Sequence, residues 1–222
     1  MKDFTSEDHV AMRSRTELVK WRSFCEDYIR TLDCDGAHDV GHLRRVWGNF
    51  LKLSREMDNV CLLTGVSACF LHDCVHVPKD SPDRGTASLR AAEEAIRLLR
   101  RAGFPPDKLE NVFHCIEAHS YSANIEAKSI EAKLLSDADK LDALGHIGLA
   151  RLFYTAGSIG SQLFDADEPI PVARANSEKR FAVDHYFKKL KSLHLRMYTP
   201  EGVSEAKRQI GVMDLFIDEL VT

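Results

Sequence analysis

The stretch from residue 60 to residue 71, VCLLTGVSACFL, is apolar on nearly every side of a helix. A helix without a polar face must be covered all round, so this one is expected at the centre of the fold. At twelve residues it is shorter than the roughly 18 apolar residues needed to span a bilayer. The chain therefore contains a buried central helix, and we expect no membrane association.

The rest of the chain also follows helical spacing, with apolar residues at steps of three and four. Gly and Pro number only 12 and 7 among 222 residues, which disfavours a turn-rich β fold. The helices are predicted at about 5–32, 39–57, 60–71, 86–102, 106–119, 127–144, 147–155, 177–197 and 201–222, with a long surface loop between 157 and 177. We predict one all-α domain over residues 1–222, with its core at about 30–160 and the helices of 177–222 packed on it.

Charge and cysteine content narrow the function further. The 34 acidic residues outnumber the 30 basic ones, for a net charge of -4. This balance lacks the basic excess of a protein that binds nucleic acid, so a small diffusible ligand is expected instead. The six cysteines form no CxxC pair and the first residues lack a secretion signal, which predicts reduced thiols and a cytoplasmic protein. The oligomeric state stays open, a homodimer included.

Acidic and imidazole groups follow or interrupt the apolar segments. His72 and Asp73 come directly after the central helix, His42 lies near the start of an earlier one, and the segment SDADKLD places Asp137, Asp139 and Asp142 within six residues. Such crowding of carboxylates in a helical segment is expensive without a cation. Imidazole and carboxylate groups without thiolate suit a borderline or hard divalent ion. Such an ion can activate water and polarise a phosphoryl oxygen, which favours phosphate hydrolysis.

Helix geometry allows only one of Asp137 and Asp139 to be a ligand. At 100° per residue the two positions differ by about 200° around the axis, so they cannot share a face. Asp137 lies on the apolar face with Leu134, Leu141 and Leu144, which by itself favours Asp137 as the buried carboxylate that needs a cation. Spacing alone leaves both residues open.

The ordered set His42, His72-Asp73 and Asp139 within ADKL resembles the HD-domain metal-dependent phosphohydrolase superfamily. The strings HDVGHLRRVW, LHDCVHVPKDSPDRG, IEAHSYSANIEA, IEAKLLSDADKLDALGHIGLARLFY and DHYFKKLKSLHLRMYTPEG resemble its small stand-alone bacterial hydrolases over about residues 30 to 210. The resemblance implies an all-α bundle with a metal site at its centre.

The resemblance also implies the ligands and the substrate class. One divalent metal ion (Mn, Co, Ni, Fe, Zn or Mg, with Mn favoured) is expected on His42, His72, Asp73 and Asp139, because the family pattern ADxL selects Asp139. Some members of this group are similar to nucleotide pyrophosphohydrolases that act on nucleoside triphosphates. We therefore expect a phosphorylated, nucleotide-like small molecule as substrate.

Cationic groups near these positions are the expected phosphate ligands. The candidates each lie close in sequence to a proposed metal ligand or in the loop beside one, and they are Arg45, Arg84, Lys140 and Arg151, with Arg84 and Lys140 favoured. His119, with Ser120 after it, resembles the HS step of the subfamily and is expected to act in catalysis with Asp73.

Two alternatives keep the same bundle. A di-metal oxygenase would need two further His from different helices, whereas His114 and His119 lie on one predicted helix, about 140° off a common face. A non-catalytic nucleotide-binding protein would show a broken ligand set, and none of the four residues is missing here.

Overall fold

The computed structural model describes residues 6–32, 39–75, 77, 85–120 and 123–221, with side chains from residue 14 onward. These residues form nine α-helices, a seven-residue 3₁₀ helix, a short 3₁₀ stretch at 85–86 and a single isolated β-bridge, which confirms the all-α prediction. The α-helices are α1 (Ser6–Arg30), α2 (Val40–Leu53), α3 (Leu62–Leu71), α4 (Ala87–Arg101), α5 (Pro106–His119), α6 (Ile130–Asp142), α7 (Gly145–Ser158), α8 (Ala182–Lys188) and α9 (Pro200–Leu220), and the 3₁₀ helix is Leu190–Arg196.

The apolar helix α3 lies at the centre, as its sequence predicts. Every residue from Thr64 to Leu71 is buried, and the helix contacts α1, α2, α5 and α6. Gly65 lies directly against α2, because a Cβ atom there would lie 2.5 Å from the ring of Phe50. Only a residue without a side chain permits this approach, and the approach brings the first turn of α2 to the end of α3.

The C-terminal region differs from the sequence prediction. The helix predicted over 177–197 is wrong: α8 begins only at Ala182, and the 3₁₀ helix follows it. The backbone of Ala182 donates to Gln162 O at 2.9 Å, and the buried carboxylate of Asp184 accepts hydrogen bonds from Ser177 N and Arg174. These contacts hold the start of α8 against Gln162 and hold Arg174 and Ser177 against Asp184, so the residues before Ala182 do not extend the helix.

Two further expectations can be compared with the described residues. None of their helices is long and apolar enough to cross a membrane. Five of the six cysteines are described and all five are free thiols. The sixth, Cys34, lies outside the described residues.

Candidate metal centre

Four side chains from three segments converge at one point. His42 comes from the first turn of α2, His72 and Asp73 follow α3, and Asp139 lies on α6. The two Nε2 atoms are 3.4 Å apart, and those of His42 and His72 lie 3.6 and 3.8 Å from Asp139 Oδ1. Asp73 Oδ2 lies 3.5 Å from His72 Nε2 and 3.9 Å from His42 Nε2. These separations approach the roughly 3.4 Å edge of a tetrahedron with metal–ligand bonds of about 2.1 Å.

The hydrogen bonds of the two imidazoles direct their other nitrogens into the cluster. His42 Nδ1 lies 2.7 Å from Asp142 Oδ2, and His72 Nδ1 lies 2.9 Å from the carbonyl oxygen of Cys69. His42 Nδ1 also lies 2.9 Å from Arg151 Nη1, so Asp142 and Arg151 together surround it. In both rings the Nδ1 contacts leave Nε2 facing the cluster. That is the arrangement in which a histidine binds a metal ion.

Charge and exposure fit a divalent ion with open coordination positions. Despite burial, the carboxylates of Asp73 and Asp139 raise the pKa of His72 to about 9. Against the effect of burial, His72 in turn lowers the pKa of Asp73 and of Asp139. Two imidazoles with two carboxylates suit Mn, Fe, Co, Ni or Zn. Both imidazoles are buried, whereas the Asp73 and Asp139 side chains are 33% and 30% exposed, which leaves an open side for water and substrate.

Asp137 faces away from this cluster. Its fully buried carboxylate accepts from Tyr198 N and Thr199 N, both at 2.8 Å, and from Thr199 Oγ1 at 2.7 Å. Gly202 is confined by the same carboxylate, since a Cβ there would lie 2.5 Å from Asp137 Oδ2. Backbone and hydroxyl donors at the start of α9 therefore satisfy the buried charge that the apolar face seemed to assign to a cation.

His119 lies at the edge of the cluster. Its Nδ1 is 2.6 Å from the carbonyl oxygen of Ile116, so the ring is held like that of His72, and its Nε2 lies 3.7 Å from Asp73 Oδ1. The rings of His72 and His119 meet edge to face at 4.8 Å. In the described part of the chain, two groups of donor atoms lie close enough to hold an ion: His42, His72 and Asp139 form one, and His72, Asp73 and His119 form the other, so His72 belongs to both.

The predicted cationic residues have different surroundings. Lys140 donates to Ser136 O at 3.1 Å and lies over the ring of Tyr198, and burial lowers its pKa, although Asp137 and Asp139 oppose this. Arg45 forms a two-point ion pair with Asp142, at 2.6 Å through Nε and 3.1 Å through Nη2.

Two other sequence positions bear on the predictions. Arg84 lies outside the described residues, so its placement cannot be compared. His114, considered for a second metal ion, is 3.2 Å from Glu117 through Nδ1 and accepts from Lys128 N through Nε2 at 2.9 Å. It takes no part in the cluster.

Asp142 is a buried carboxylate next to the cluster that the sequence did not distinguish from its neighbours. Arg151 of α7 joins Arg45 and His42 around its carboxylate. A cavity of about 340 Å³ opens beside Asp142 and Arg45, bordered by α6, α7 and α9, and none of the four proposed ligands lines it. The crowding of carboxylates in SDADKLD indicated that Asp142 needs a cationic or hydrogen-bonding partner. The sequence could not identify His42 and Arg45 as partners, because they lie 100 and 97 residues away along the chain.

Comparisons with known proteins agree with this geometry. Residues 39–144 match the HD domain family. The chain is 29% identical over 192 residues to the uncharacterized protein YpgQ of Bacillus subtilis, covering 85% of each chain. The crystal structure of Bacillus subtilis YpgQ in complex with ADP is similar, with a TM-score of 0.68 and 26% identity over 93% of this chain and 94% of that one. An HD-superfamily hydrolase from Bacillus thuringiensis has a TM-score of 0.69 and 28% identity over 93% and 96% of the two chains.

Proposed function

The chain carries an HD domain, and from that premise we propose that it is a metal-dependent phosphohydrolase acting on a nucleotide-like phosphate ester or phosphoanhydride. The single observation that carries the proposal is the convergence of His42, His72, Asp73 and Asp139, with both Nε2 atoms directed inward and both carboxylates partly exposed. Cleavage of a nucleoside triphosphate with release of pyrophosphate is the first reaction to test.

One divalent ion, with Mn favoured, is proposed on these four residues. Such an ion supplies a Lewis acid that polarises a phosphoryl oxygen and makes a coordinated water more acidic. The two carboxylate oxygens of Asp73 face different groups, because Oδ2 lies near His42 and His72 while Oδ1 lies near His119. It can therefore bind the ion through one oxygen and orient a water through the other.

His119 is proposed as the group that protonates the leaving oxygen. Its Nδ1 proton is held by the carbonyl oxygen of Ile116, so exchange with a substrate occurs at Nε2, which faces Asp73. General acid catalysis of this kind contributes about 10²- to 10⁴-fold.

Cationic side chains are proposed to bind the substrate phosphates. Lys140 follows Asp139 directly and interacts electrostatically with its carboxylate. Arg84 is predicted from the sequence to lie in the loop after His72-Asp73. Arg45 was predicted for the same role, but its Nε and Nη2 both donate to Asp142, so only Lys140 and Arg84 are proposed to bind phosphate. The complex of YpgQ with ADP supports a nucleotide as the ligand class.

The test is release of phosphate and of pyrophosphate from nucleoside triphosphates, diphosphates and p-nitrophenyl phosphate by protein loaded with Mn²⁺. Lys140→Ala should lower kcat/KM by about 10- to 100-fold without loss of metal, because a cation near the developing negative charge is removed. Lys133→Ala, two turns earlier on α6, is the matched control and should leave kcat/KM unchanged.

Each other outcome has a distinct meaning. Metal-loaded protein that releases neither product but consumes oxygen with ferrous iron would replace this proposal with the oxygenase. Nucleotide binding without any turnover would identify a non-catalytic nucleotide-binding protein.

A further inference from the structure

We propose that Asp142 is a positioning residue that fixes His42 for metal binding, and that Arg45 and Arg151 act through Asp142 and not on the substrate. The inference rests on the metal site proposed above and adds to it the groups that orient one of its ligands. Three elements take part: α2 supplies His42 and Arg45, α6 supplies Asp142, and α7 supplies Arg151.

The contacts of Asp142 form a closed set of donors around a buried carboxylate. His42 Nδ1 lies 2.7 Å from Oδ2, Arg45 donates to Oδ1 at 2.6 Å and to Oδ2 at 3.1 Å, and Arg151 Nη1 also donates to Oδ2. A buried carboxylate is expensive to desolvate unless paired. The two guanidinium groups supply the pairing that lets an anion lie beneath His42.

The Asp142 carboxylate determines the orientation in which the His42 ring can bind a metal ion. The contact at Nδ1 prevents the ring from turning over and moving Nε2 out of the cluster, and a proton on Nδ1 shared with Asp142 leaves the lone pair on Nε2 for an ion. His72 is held differently, because its Nδ1 donates to the backbone carbonyl of Cys69. Only His42 therefore depends on a side chain that a substitution can remove.

The same contacts explain why Arg45 lies where it does. Both its Nε and its Nη2 are used on Asp142, and its side chain is 38% exposed toward the neighbouring cavity. A residue this exposed can be shortened without opening a void in the core, so Arg45→Ala keeps the fold while it loosens Asp142. If Arg45 binds phosphate, Arg45→Ala should raise the KM for the nucleotide. If Arg45 supports Asp142, the same substitution should instead weaken Mn²⁺ binding.

The experiment compares wild type, Asp142→Asn, Arg45→Ala and the control Asp137→Asn, which removes another buried carboxylate from the same helix. Mn²⁺ affinity is measured by titration with detection of free ion by electron paramagnetic resonance, and the Co²⁺ visible spectrum reports ligand geometry. Thermal unfolding in the absence of metal identifies the temperature at which every variant is folded.

We expect Asp142→Asn to weaken Mn²⁺ binding by about 10- to 100-fold and to change the Co²⁺ spectrum, since loss of such an outer partner typically has that effect. Arg45→Ala should weaken Mn²⁺ binding by about 3- to 10-fold with an unchanged KM for the nucleotide, which is a smaller loss because Arg151 remains. Asp137→Asn should keep the wild-type affinity and spectrum, because its carboxylate does not reach the ligands.

Equal Mn²⁺ affinity in wild type and folded Asp142→Asn would overturn this inference and leave the proposed metal site standing. If Asp142→Asn does not fold, Arg45→Ala decides: normal metal affinity with a raised KM would return Arg45 to the phosphate and overturn the inference. A wild-type protein that binds no divalent ion would overturn the proposed function and this inference together.

Discussion

Exchanging Asp137 and Asp139 for Asn, one at a time, separates a carboxylate that holds the fold from one that holds a metal ion. The two residues lie on opposite sides of α6, and each substitution keeps the volume and removes the charge. We expect Asp137→Asn to lose stability and keep the metal, and Asp139→Asn to lose the metal.

The size of the Asp137 effect follows from its three hydrogen bonds. The best placement of the Asn amide keeps its oxygen on the two Thr199 donors and turns its NH₂ toward Tyr198 N, so one bond is lost and two donors face each other. A lost hydrogen bond to a charged group costs about 1.5–3 kcal/mol, and the buried NH₂ without an acceptor adds about 1–3 kcal/mol. Burial raises the pKa of Asp137, so the ionised carboxylate carries a desolvation cost that Asn lacks. We expect a net loss of about 3 kcal/mol.

Urea unfolding of the metal-free protein, followed by circular dichroism, measures this loss directly. In a chain of this length about 3 kcal/mol corresponds to a fall in Tm of roughly 6–12 °C. Elemental analysis after gel filtration gives the metal content of the same samples. If Asp137→Asn lost the metal with unchanged stability, the assignment of the two carboxylates would be reversed and the reasoning from hydrogen bonds refuted.

Two other predictions test the packing and the electrostatics of the fold. Gly65→Ala should destabilise the protein by about 1–3 kcal/mol, because its Cβ would press on the buried ring of Phe50. Gly48→Ala on α2, where no atom lies within 4 Å of a Cβ, should be neutral or stabilising by up to about 1 kcal/mol, and equal effects in urea unfolding would contradict the packing argument. Hydrogen bonds from Arg44, against the effect of burial, lower the pKa of Glu26 from 4.5 to about 2. The ionised Glu26 therefore adds stability above about pH 4.5 that is lost as the pH falls toward 2, by about 1–2 kcal/mol after screening of the half-exposed Arg44. Glu26→Gln should flatten the dependence of unfolding free energy on pH in that window, and an unchanged slope would remove the ion pair from the explanation.

Much of the helical architecture could be predicted because it follows from local sequence patterns, such as apolar runs and helix caps. The run from residue 60 to 71 is apolar all round, and the structure buries it at the centre because no helix face is left for water. The start of α2 is also determined locally, since the Asp39 side chain accepts a hydrogen bond from His42 N at 2.9 Å and caps the N-terminus of the helix. The family resemblance, carried by His42, His72-Asp73 and Asp139, agrees with the match of residues 39–144 to the HD domain family. The metal ligation itself and the roles of His119, Lys140, Arg45 and Arg84 stay predictions.

Only the tertiary structure shows which distant groups contact the buried carboxylates, because spacing along the chain carries no information about them. Periodicity states which face of α6 is buried, and this favoured Asp137 as the residue in need of a cation. What satisfies Asp137 is the start of α9, which lies 61 and 62 residues further along the chain. Asp142 likewise meets His42 and Arg45 only across 100 and 97 residues, and the predicted helix at 177–197 gives way to contacts between Asp184 and the loop before it. A local pattern fixes the side of a helix that avoids water, but the group that a buried charge meets there is fixed only when distant segments pack together.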